Sequence, residues 1–394
     1  MPIKSYIDRA RSVAAGLRSL APKRPTVVVQ SDDWGRVGVP SLDALERLRV
    51  RHPNIGRDSW DFYGLESEED IVALGDVLAE TSDKDGRPAC FTANFIMANA
   101  DLRAMRAHDY GELRWIGIVD GFPAPWTDRN FSSYRFNIER KAFYPGLHGF
   151  THFNIPGLLH ALRSTTREGA IARELAAEDT PYLASLTPEY NFALLARGQE
   201  DRFLDAADQS YWIKQGVALF LNAFGFSPRT TCAPGYRAND TTFLIWNEVG
   251  IEIVQTRRGP DVDINGSLLV LRRNVDFEPA LQPDGSVAAA LAQAQAAVAR
   301  GSPIIVCTHS INYVSRHLGR AQQSRAMLRE FLGQLLKTFP DLRFASDVEF
   351  ADAYMRQDAG WFRPATVKEQ AQRMSLFVRR NQIARMPSVA AAQS

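Results

Sequence analysis

The chain has 394 residues, of which 45% are hydrophobic and 23% are charged, and its formal net charge is +1. This composition is ordinary for a globular enzyme and argues against a disordered chain. A net charge near zero gives no long-range attraction for nucleic acid, so no nucleic-acid partner is expected. The three cysteines are too few for a disulfide framework, which fits a reducing compartment.

The N-terminal segment carries charges that interrupt every apolar run. It has no hydrophobic core of the length that a secretory signal needs, and nowhere does the chain approach about 18 consecutive apolar residues. We therefore expect residues 1–24 to form an amphipathic surface helix. We also expect no transmembrane segment and a cytoplasmic location.

Short apolar runs alternate with helix-like segments along the central part of the chain. The predicted strands end in polar or turn residues and cover 26–33, 89–97, 142–152, 229–237, 251–259, 267–277, 303–313 and 342–350. Apolar residues recur at helical spacing in 41–50, 68–80, 210–225, 286–300 and 321–339. This alternation is typical of an α/β fold with a parallel sheet, and seven or eight strands predict a closed or nearly closed (β/α) barrel over residues 25–355.

Two insertions and a basic tail accompany the predicted barrel. Residues 98–141 contain proline and aromatic side chains and are predicted to form a lid or substrate wall, whereas residues 153–209 are predicted to be mostly helical. The tail, residues 356–394, is rich in Lys and Arg and also carries an apolar run. Packing on the barrel or on a partner subunit of a homo-oligomer is the favoured interpretation. Peripheral contact with an anionic membrane surface is the alternative.

Polar motifs follow four of the predicted strands, where a barrel places its active site. "SDDWG" follows the first strand, "HGFTH" the third, "APGYR" the fourth and "THSINY" the seventh. Residues capable of chemistry therefore collect at one end of the predicted barrel.

Two of these motifs together predict a metal site. His148 and His152 are four residues apart, so on a helical turn both rings would project to one side and could share one cation. An aspartate from a neighbouring strand end would complete three protein ligands and leave a position for water. One of the adjacent carboxylates Asp32 and Asp33 would then bind the cation, and the other would accept a proton from the water. The alternative is that both aspartates cap the following helix.

The motifs "SDDWG", "HGFTH", "APGYR" and "CTHS" resemble, in this order, those of the NodB-homology polysaccharide deacetylases, carbohydrate esterase family four. The resemblance implies that Asp32 is the general base and His309 the general acid. It assigns the metal to Asp33, His148 and His152. Zinc is the favoured ion, with Co²⁺, Ni²⁺, Mn²⁺ and Fe²⁺ as alternatives.

The resemblance spans residues 25 to 352, with insertions, and implies a distorted barrel of the NodB type. The implied reaction removes an N-acyl group, usually acetyl, from an acylated amino sugar or short glycan, with metal-bound water as the nucleophile. Two alternatives stay open. The same scaffold could cleave a non-sugar, cyclic amide, or the chain could be a catalytically weak glycan-binding scaffold protein.

The sequence departs from the family pattern in three motifs. In the first, Gln30 and Ser31 stand where the family has Thr-Phe. Where the third motif carries an arginine, this chain has Cys232, and Arg237 is the candidate to replace that arginine. The aspartate of the fourth motif is not visible, so Asp276 is the candidate to orient His309.

Three further residues are candidates for substrate contact. The backbone N–H groups of Gly235 and Tyr236 could bind an oxyanion, or these residues could simply form a turn. Trp34 could stack on a sugar, although large aromatic residues usually lie in the core.

Overall fold

The computed structural model describes residues 20–187, 189–196 and 202–383, with side chains up to residue 375. Residues 1–19 of the helix predicted over residues 1–24 lie outside the described residues. Its last part is a β-strand instead, Leu20–Pro22.

Strands and helices alternate through most of the described chain. The strands are β1 (Leu20–Pro22), β2 (Thr26–Trp34), β3 (Phe91–Ile96), β4 (Ala98–Ala100), β5 (Trp115–Gly117), β6 (Phe143–Gly149), β7 (Thr230–Cys232), β8 (Ile253–Thr256), β9 (Val262–Asn265), β10 (Leu268–Arg272), β11 (Val275–Asp276), β12 (Ile304–His309), β13 (Arg343–Phe344) and β14 (Phe362–Pro364). The helices are α1 (Leu42–Arg51), α2 (Glu68–Glu80), α3 (Leu102–Ala107), α4 (Phe131–Glu139), α5 (Ile155–Arg163), α6 (Arg167–Ala177), α7 (Ala206–Phe224), α8 (Asp240–Glu248), α9 (Ser286–Ala299), α10 (Ala321–Thr338), α11 (Asp347–Met355) and α12 (Val367–Ile383).

One curled sheet forms the centre of the molecule. Its strands lie in the order β11, β12, β2, β3, β6, β7, β8, β10, β9. In addition, β13 pairs with the N-terminal end of β2, at Thr26 and Val27. Every neighbouring pair is parallel except β9 with β10. A curled parallel sheet with crossover helices confirms the predicted distorted (β/α) barrel.

One stretch of chain bridges the two sides of the curled sheet. β10 pairs with β8, and β11, which begins three residues after β10 ends, pairs with β12. The break falls at Arg273 and Asn274, whose backbone N–H groups donate to Thr256 O and Ile305 O, both at 2.9 Å. The side chain of Arg273 is buried. The break thus places an arginine inside the curled sheet.

Side-chain alternation on β2 separates the apolar outer face from the interior. Val27 and Val29 belong to the large apolar cluster between the sheet and helices α2, α9 and α10. Val28 belongs to a different cluster, and Gln30 and Asp32 follow it with the same period of two. The inward face of β2 therefore changes from apolar to polar as the strand approaches its C-terminal end.

The eighth predicted strand, 342–350, is wrong in its second half. Only Arg343–Phe344 pair with β2, and helix α11 begins at Asp347. Ser346 caps this helix, because its side chain accepts from Glu349 N while the Glu349 side chain accepts from Ser346 N. This capping box stabilises a helix start where the apolar pattern indicated a strand.

The described part of the tail packs on the barrel. β14 pairs antiparallel with β1, and the Arg373 Nε donates to Arg300 O at 3.0 Å. Arg363 forms an ion pair with Glu369 at 2.6 Å. Membrane contact and homo-oligomer formation stay predictions, and residues 384–394 lie outside the described residues. None of the described helices has the length and hydropathy that crossing a membrane requires.

The buried carboxyl of Glu66, next to the C-terminal end of β2, predicts that the stability of the protein depends on pH. Glu66 accepts hydrogen bonds from Gly35 N and from the Tyr134 hydroxyl, and burial raises its pKa from 4.5 to about 7. The native state thus retains a proton that the unfolded state releases, so stability falls as pH rises from 4.5 to about 7, by roughly 3 kcal/mol. Glu66→Gln removes this loss. We expect the melting temperature of Glu66→Gln, relative to wild type, to be higher at about pH 8 than at about pH 5. A difference that does not vary with pH would contradict this assignment.

Candidate functional site

An irregularity near the end of β2 directs two adjacent carboxylates into one cavity. Neighbouring residues of a strand normally face opposite sides, yet Asp32 and Asp33 both line the cavity. Asp33 has a φ of 72°, and the register of β2 against β3 shifts between Ser31 and Trp34. A positive φ is uncommon outside glycine, although aspartate tolerates it better than most residues. This local change of direction allows both carboxylates to serve one site.

The two histidines meet through a bend rather than through the predicted helical turn. His148 is in β6, and His152 lies in the loop that follows the strand. Between them Gly149 has a φ of 118°, and a Cβ at this position would approach Thr151 O at 3.3 Å. Both Nε2 atoms lie 3.3 Å from Asp33 Oδ1. The structure therefore brings the three predicted ligands together by another route.

The second nitrogen of each imidazole fixes where the ring proton lies. His148 Nδ1 is 2.8 Å from Cys232 O, and His152 Nδ1 is 3.0 Å from Asn191 O. A carbonyl only accepts, so each Nδ1 carries a proton, and in the neutral form of each ring the lone pair is on Nε2. Burial and the positive charge of Arg36 lower the pKa of His152 well below its usual value, which favours the neutral ring.

These residues fit a divalent cation. Two imidazole lone pairs and the buried Asp33 Oδ1, which has no hydrogen-bond partner among the described residues, face one another within 4.8 Å. The observed 3.3 Å separations match the edge of a tetrahedron with metal–ligand bonds of about 2.0–2.1 Å, which is about 3.3–3.4 Å long. Arg36 Nη1 lies 3.3 Å from Asp33 Oδ2, so only Oδ1 is left to bind an ion.

Asp32 is held by an arginine that the sequence analysis did not single out. Arg273 Nη2 donates to Asp32 Oδ1 at 2.6 Å, and Nη1 donates to Oδ2 at 2.7 Å. Burial would raise the pKa of Asp32, but the Arg273 guanidinium, together with His148 and His309, outweighs burial and holds the pKa below its usual range. Asn94 donates a further hydrogen bond at 2.7 Å. The carboxylate is therefore ionised and fixed in place.

Arg237, the predicted replacement for the missing arginine, lies elsewhere. It lines the cavity with its guanidinium 5.6 Å from the centre of the Phe192 ring, and Arg273 pairs with Asp32 instead. Cys232 stands close to the same carboxylate, its Sγ 3.6 Å from Asp32 Oδ2. Two consecutive arginines directly after an apolar strand were a signal for a cation at this strand end, but they do not show which of the two reaches Asp32.

His309 is oriented by Glu278 and not by Asp276. His309 Nδ1 lies 2.7 Å from Glu278 Oε1, and its Nε2 lies 3.7 Å from Asp32 Oδ2. Burial opposes protonation of the ring, but Glu278 raises the pKa of His309 to about 10. The predicted partner, Asp276, is half exposed and forms an ion pair with Arg257. His309 therefore carries a proton at neutral pH.

The five residues with predicted acid, base or metal roles open into a cavity of about 670 Å³. Its wall includes Trp60 and, from the described part of the second insertion, Tyr182, Ala184, Glu189, Asn191, Phe192, Leu195 and Ala196. Among the described residues, none from 98–141 lines it, so the substrate wall belongs to the second insertion and not to the first.

The remaining candidates divide between the cavity and the core. Gly235 and Tyr236 line the cavity, but the Tyr236 N–H donates to Ala233 O at 2.8 Å, which leaves Gly235 as the better backbone donor. Trp34 is 1% exposed and packs on Phe143 with ring centres 4.9 Å apart. It is a core residue and does not line the cavity.

Neither a family model nor a curated protein matches the sequence. Among solved structures, the chain is similar to a protein from Mycobacterium smegmatis described as a polysaccharide deacetylase, at 17% identity over 89% of this chain and 98% of that one, with a TM-score of 0.44. A family 4 carbohydrate esterase from Streptomyces lividans, in complex with acetate, matches at 11% identity over 87% and 98%, with a TM-score of 0.36. A family 4 carbohydrate esterase pseudoenzyme from Bacillus anthracis matches at 10% identity over 84% and 66%, with a TM-score of 0.38. Similarities this distant assign no activity, which has to be inferred from the geometry of the site.

The site predicts that one divalent ion binds per chain. Purified wild-type protein should bind one equivalent of Zn²⁺, and His148→Ala, His152→Ala and Asp33→Asn should each lose most of this affinity, because two protein ligands hold zinc far more weakly than three. Titration calorimetry and elemental analysis measure the effect. His108→Ala, which changes an exposed histidine, is the matched control and should bind like wild type. Equal zinc content in all variants would refute the site.

Proposed function

We propose that this chain is a metal-dependent hydrolase that removes an N-acyl group, acetyl in the simplest case, from an amino sugar or short glycan. The observation that carries the proposal is the convergence of three separate elements on one cavity. They are the ligand atoms around Asp33 Oδ1, an ionised carboxylate on Asp32 and a protonated imidazole on His309.

The ligand set has a defined part in this proposal. Asp33, His148 and His152 would hold the cation, which when bound supplies Lewis-acid polarisation of the acyl carbonyl and makes a water molecule more acidic. The two histidines keep their lone pairs directed into the site because backbone carbonyls hold the opposite ring nitrogens.

Asp32 is the general base of the proposed reaction. It lies beside the ligand Asp33, is ionised through its ion pair with Arg273, and can accept the proton that the attacking water releases. The same ion pair makes Asp32 a weak base, so the reaction relies on a strongly acidified water molecule.

His309 is the general acid. Glu278 keeps its ring protonated, and Nε2 points toward Asp32, on the side where the leaving amine would form. Donation from Nε2 to the amine nitrogen completes cleavage of the C–N bond. Asn312 Nδ2 donates to Glu278 Oε2 at 2.5 Å and to His309 O at 2.9 Å. These two hydrogen bonds fix Glu278 and His309 relative to each other.

The cavity supports a sugar-sized substrate. Its volume falls in the range of about 300–1,000 Å³ that is usual for small-molecule sites. Trp60 and Phe192 provide flat apolar surfaces, and polar side chains lie between them. Aromatic rings combined with hydrogen-bonding groups suit the apolar faces and hydroxyl groups of a pyranose.

A second candidate function is that of a glycan-binding protein with little or no turnover. It is favoured by Asp32, both of whose oxygens accept from Arg273 and whose lowered pKa makes it a poor proton acceptor. A panel of N-acetylated amino sugars, short glycans and cyclic imides, assayed with and without added metal, separates the two functions. Binding without turnover supports the second candidate.

The proposed base predicts a variant that binds metal but does not turn over substrate. Asp32→Asn should retain zinc, because Asp32 is not a ligand, and should lose about 10²–10⁴-fold in kcat because an amide cannot accept the proton. Rates of acetate release and zinc content measured on the same preparation test this. Turnover near the wild-type rate would show that Asp32 is not the base.

The proposed acid predicts a shift in the pH profile. With Glu278→Gln, the pKa of His309 should fall from about 10 toward its ordinary value of 6.5. The loss of activity on the alkaline side of the pH profile should therefore begin at a lower pH than in wild type. Asp276→Asn is the matched control and should leave the profile unchanged, because Asp276 pairs with Arg257. If the two substitutions change the profile equally, the assignment of Glu278 is wrong.

A further inference from the structure

The interior of the curled sheet below the site is polar. Barrel interiors are ordinarily filled by layers of branched apolar side chains. Here, inward-facing polar side chains from four strands are buried together, at most 2% exposed: Gln30, Thr92, Asn94, Thr230 and Gln255. Such a set is stable only if its hydrogen bonds are satisfied.

A single carboxylate, Asp347, lies at the far end of this set. Asp347 is the first residue of α11 and is 0% exposed. Its Oδ1 accepts from Gln30 Nε2 at 2.9 Å, and its Oδ2 accepts from Gln255 Nε2 and Thr230 Oγ1, both at 2.8 Å. Burying a carboxylate with only neutral donors is costly, even at a helix N-terminus. The burial of the negative charge of Asp347 therefore needs an explanation.

Both glutamines connect Asp347 to the arginine of the site. Gln30 Oε1 accepts from Arg273 Nε at 3.0 Å, and Gln255 Oε1 accepts from Arg273 Nη2 at 2.8 Å. A carboxylate only accepts and a guanidinium only donates. Each amide can satisfy both neighbours in one orientation only, with its NH₂ toward Asp347 and its carbonyl toward Arg273.

We propose that Asp347 is a positioning residue that fixes the orientation of the Gln30 and Gln255 amides and thereby holds Arg273 in its two-point contact with Asp32. The chain of contacts begins at the opposite end of the sheet interior and ends at the carboxylate beside the metal ligands. The effect on catalysis rests on the proposed function, in which Asp32 is the base. The effect on the placement of Arg273 does not.

Replacing Asp347 with asparagine removes the group that only accepts hydrogen bonds, while the shape of the side chain is preserved. In Asp347→Asn, the side-chain NH₂ faces donors, so at least one glutamine must turn its own NH₂ toward Arg273. Arg273 then loses an acceptor, and its contact with Asp32 shifts. We expect kcat to fall by about 10–100-fold, as small displacements of catalytic groups do, with KM and zinc content unchanged.

The control variant is Asp83→Asn. Asp83 is also a buried carboxylate with three hydrogen bonds, from Asp85 N, Arg87 N and Phe344 N, and none of these donors belongs to the network. It should lose stability but keep the wild-type kcat. If Asp347→Asn is folded and keeps the wild-type kcat, or if Asp83→Asn loses as much kcat as Asp347→Asn, the proposal is wrong.

If Asp347→Asn does not fold, Gln30→Met takes its place, because it removes one acceptor of Arg273. A wild-type kcat in Gln30→Met would then overturn the proposal.

A second measurement separates this inference from the proposed function. If wild type shows no turnover on any substrate, the proposed function fails, while the placement of Arg273 can still be tested by thermal unfolding. Asp347→Asn and Arg273→Met should lower the melting temperature together by clearly less than the sum of their separate effects, because both disrupt one network. Asp83→Asn with Arg273→Met should give additive shifts. Additive shifts in both pairs would overturn the positioning role whatever the activity.

Discussion

The site depends on the burial of two adjacent carboxylates at the end of one strand. Asp32 and Asp33 are each 2% exposed, and two like charges so close together cannot stay ionised in the interior unless each is compensated. The structure compensates them separately. Asp32 receives both terminal nitrogens of Arg273. Asp33 pairs through one oxygen with Arg36 and faces the two imidazole Nε2 atoms with the other, where the proposed cation would complete the compensation. This difference in compensation gives neighbouring, chemically identical side chains different roles.

The arginine that compensates Asp32 determines much of the surrounding fold. Arg273 reaches the interior because the strand pairing breaks between β10 and β11, so that one stretch of chain contacts both sides of the curled sheet. A guanidinium inside a sheet needs acceptors on every donor, and Gln30 and Gln255 provide them. The polar interior is therefore a consequence of the chemistry at the strand end, and apolar residues are confined to the outer face and to the opposite end.

Sequence predicted those parts of the site that depend on local patterns. Helix α2 was predicted at its observed bounds, Glu68–Glu80, from apolar periodicity, and in the structure a capping box of Ser67 and Asp70 fixes its start. The three candidate ligands were predicted from their motifs, and the structure brings them together through a glycine bend and not through a helical turn. Arg273 was missed because its partner is 241 residues away in the chain, and nothing local distinguishes Arg273 from Arg272. Glu278 was missed in favour of Asp276 for a related reason: which of two acids reaches His309 depends on where β11 ends.

The second insertion orients residues of the candidate site as well as forming part of its wall. Asn191 provides the carbonyl that fixes the proton on His152, and the Tyr182 ring stacks on His152 at 5.4 Å with the two planes 8° apart. The other contact of Tyr182 is Arg36, whose guanidinium lies 4.7 Å from the centre of that ring and 3.9 Å from that of Tyr63. Aromatic contact on both sides keeps Arg36 on Asp33 Oδ2 and away from Oδ1. The barrel thus provides the candidate ligand atoms, and the inserted loop orients His152 among them.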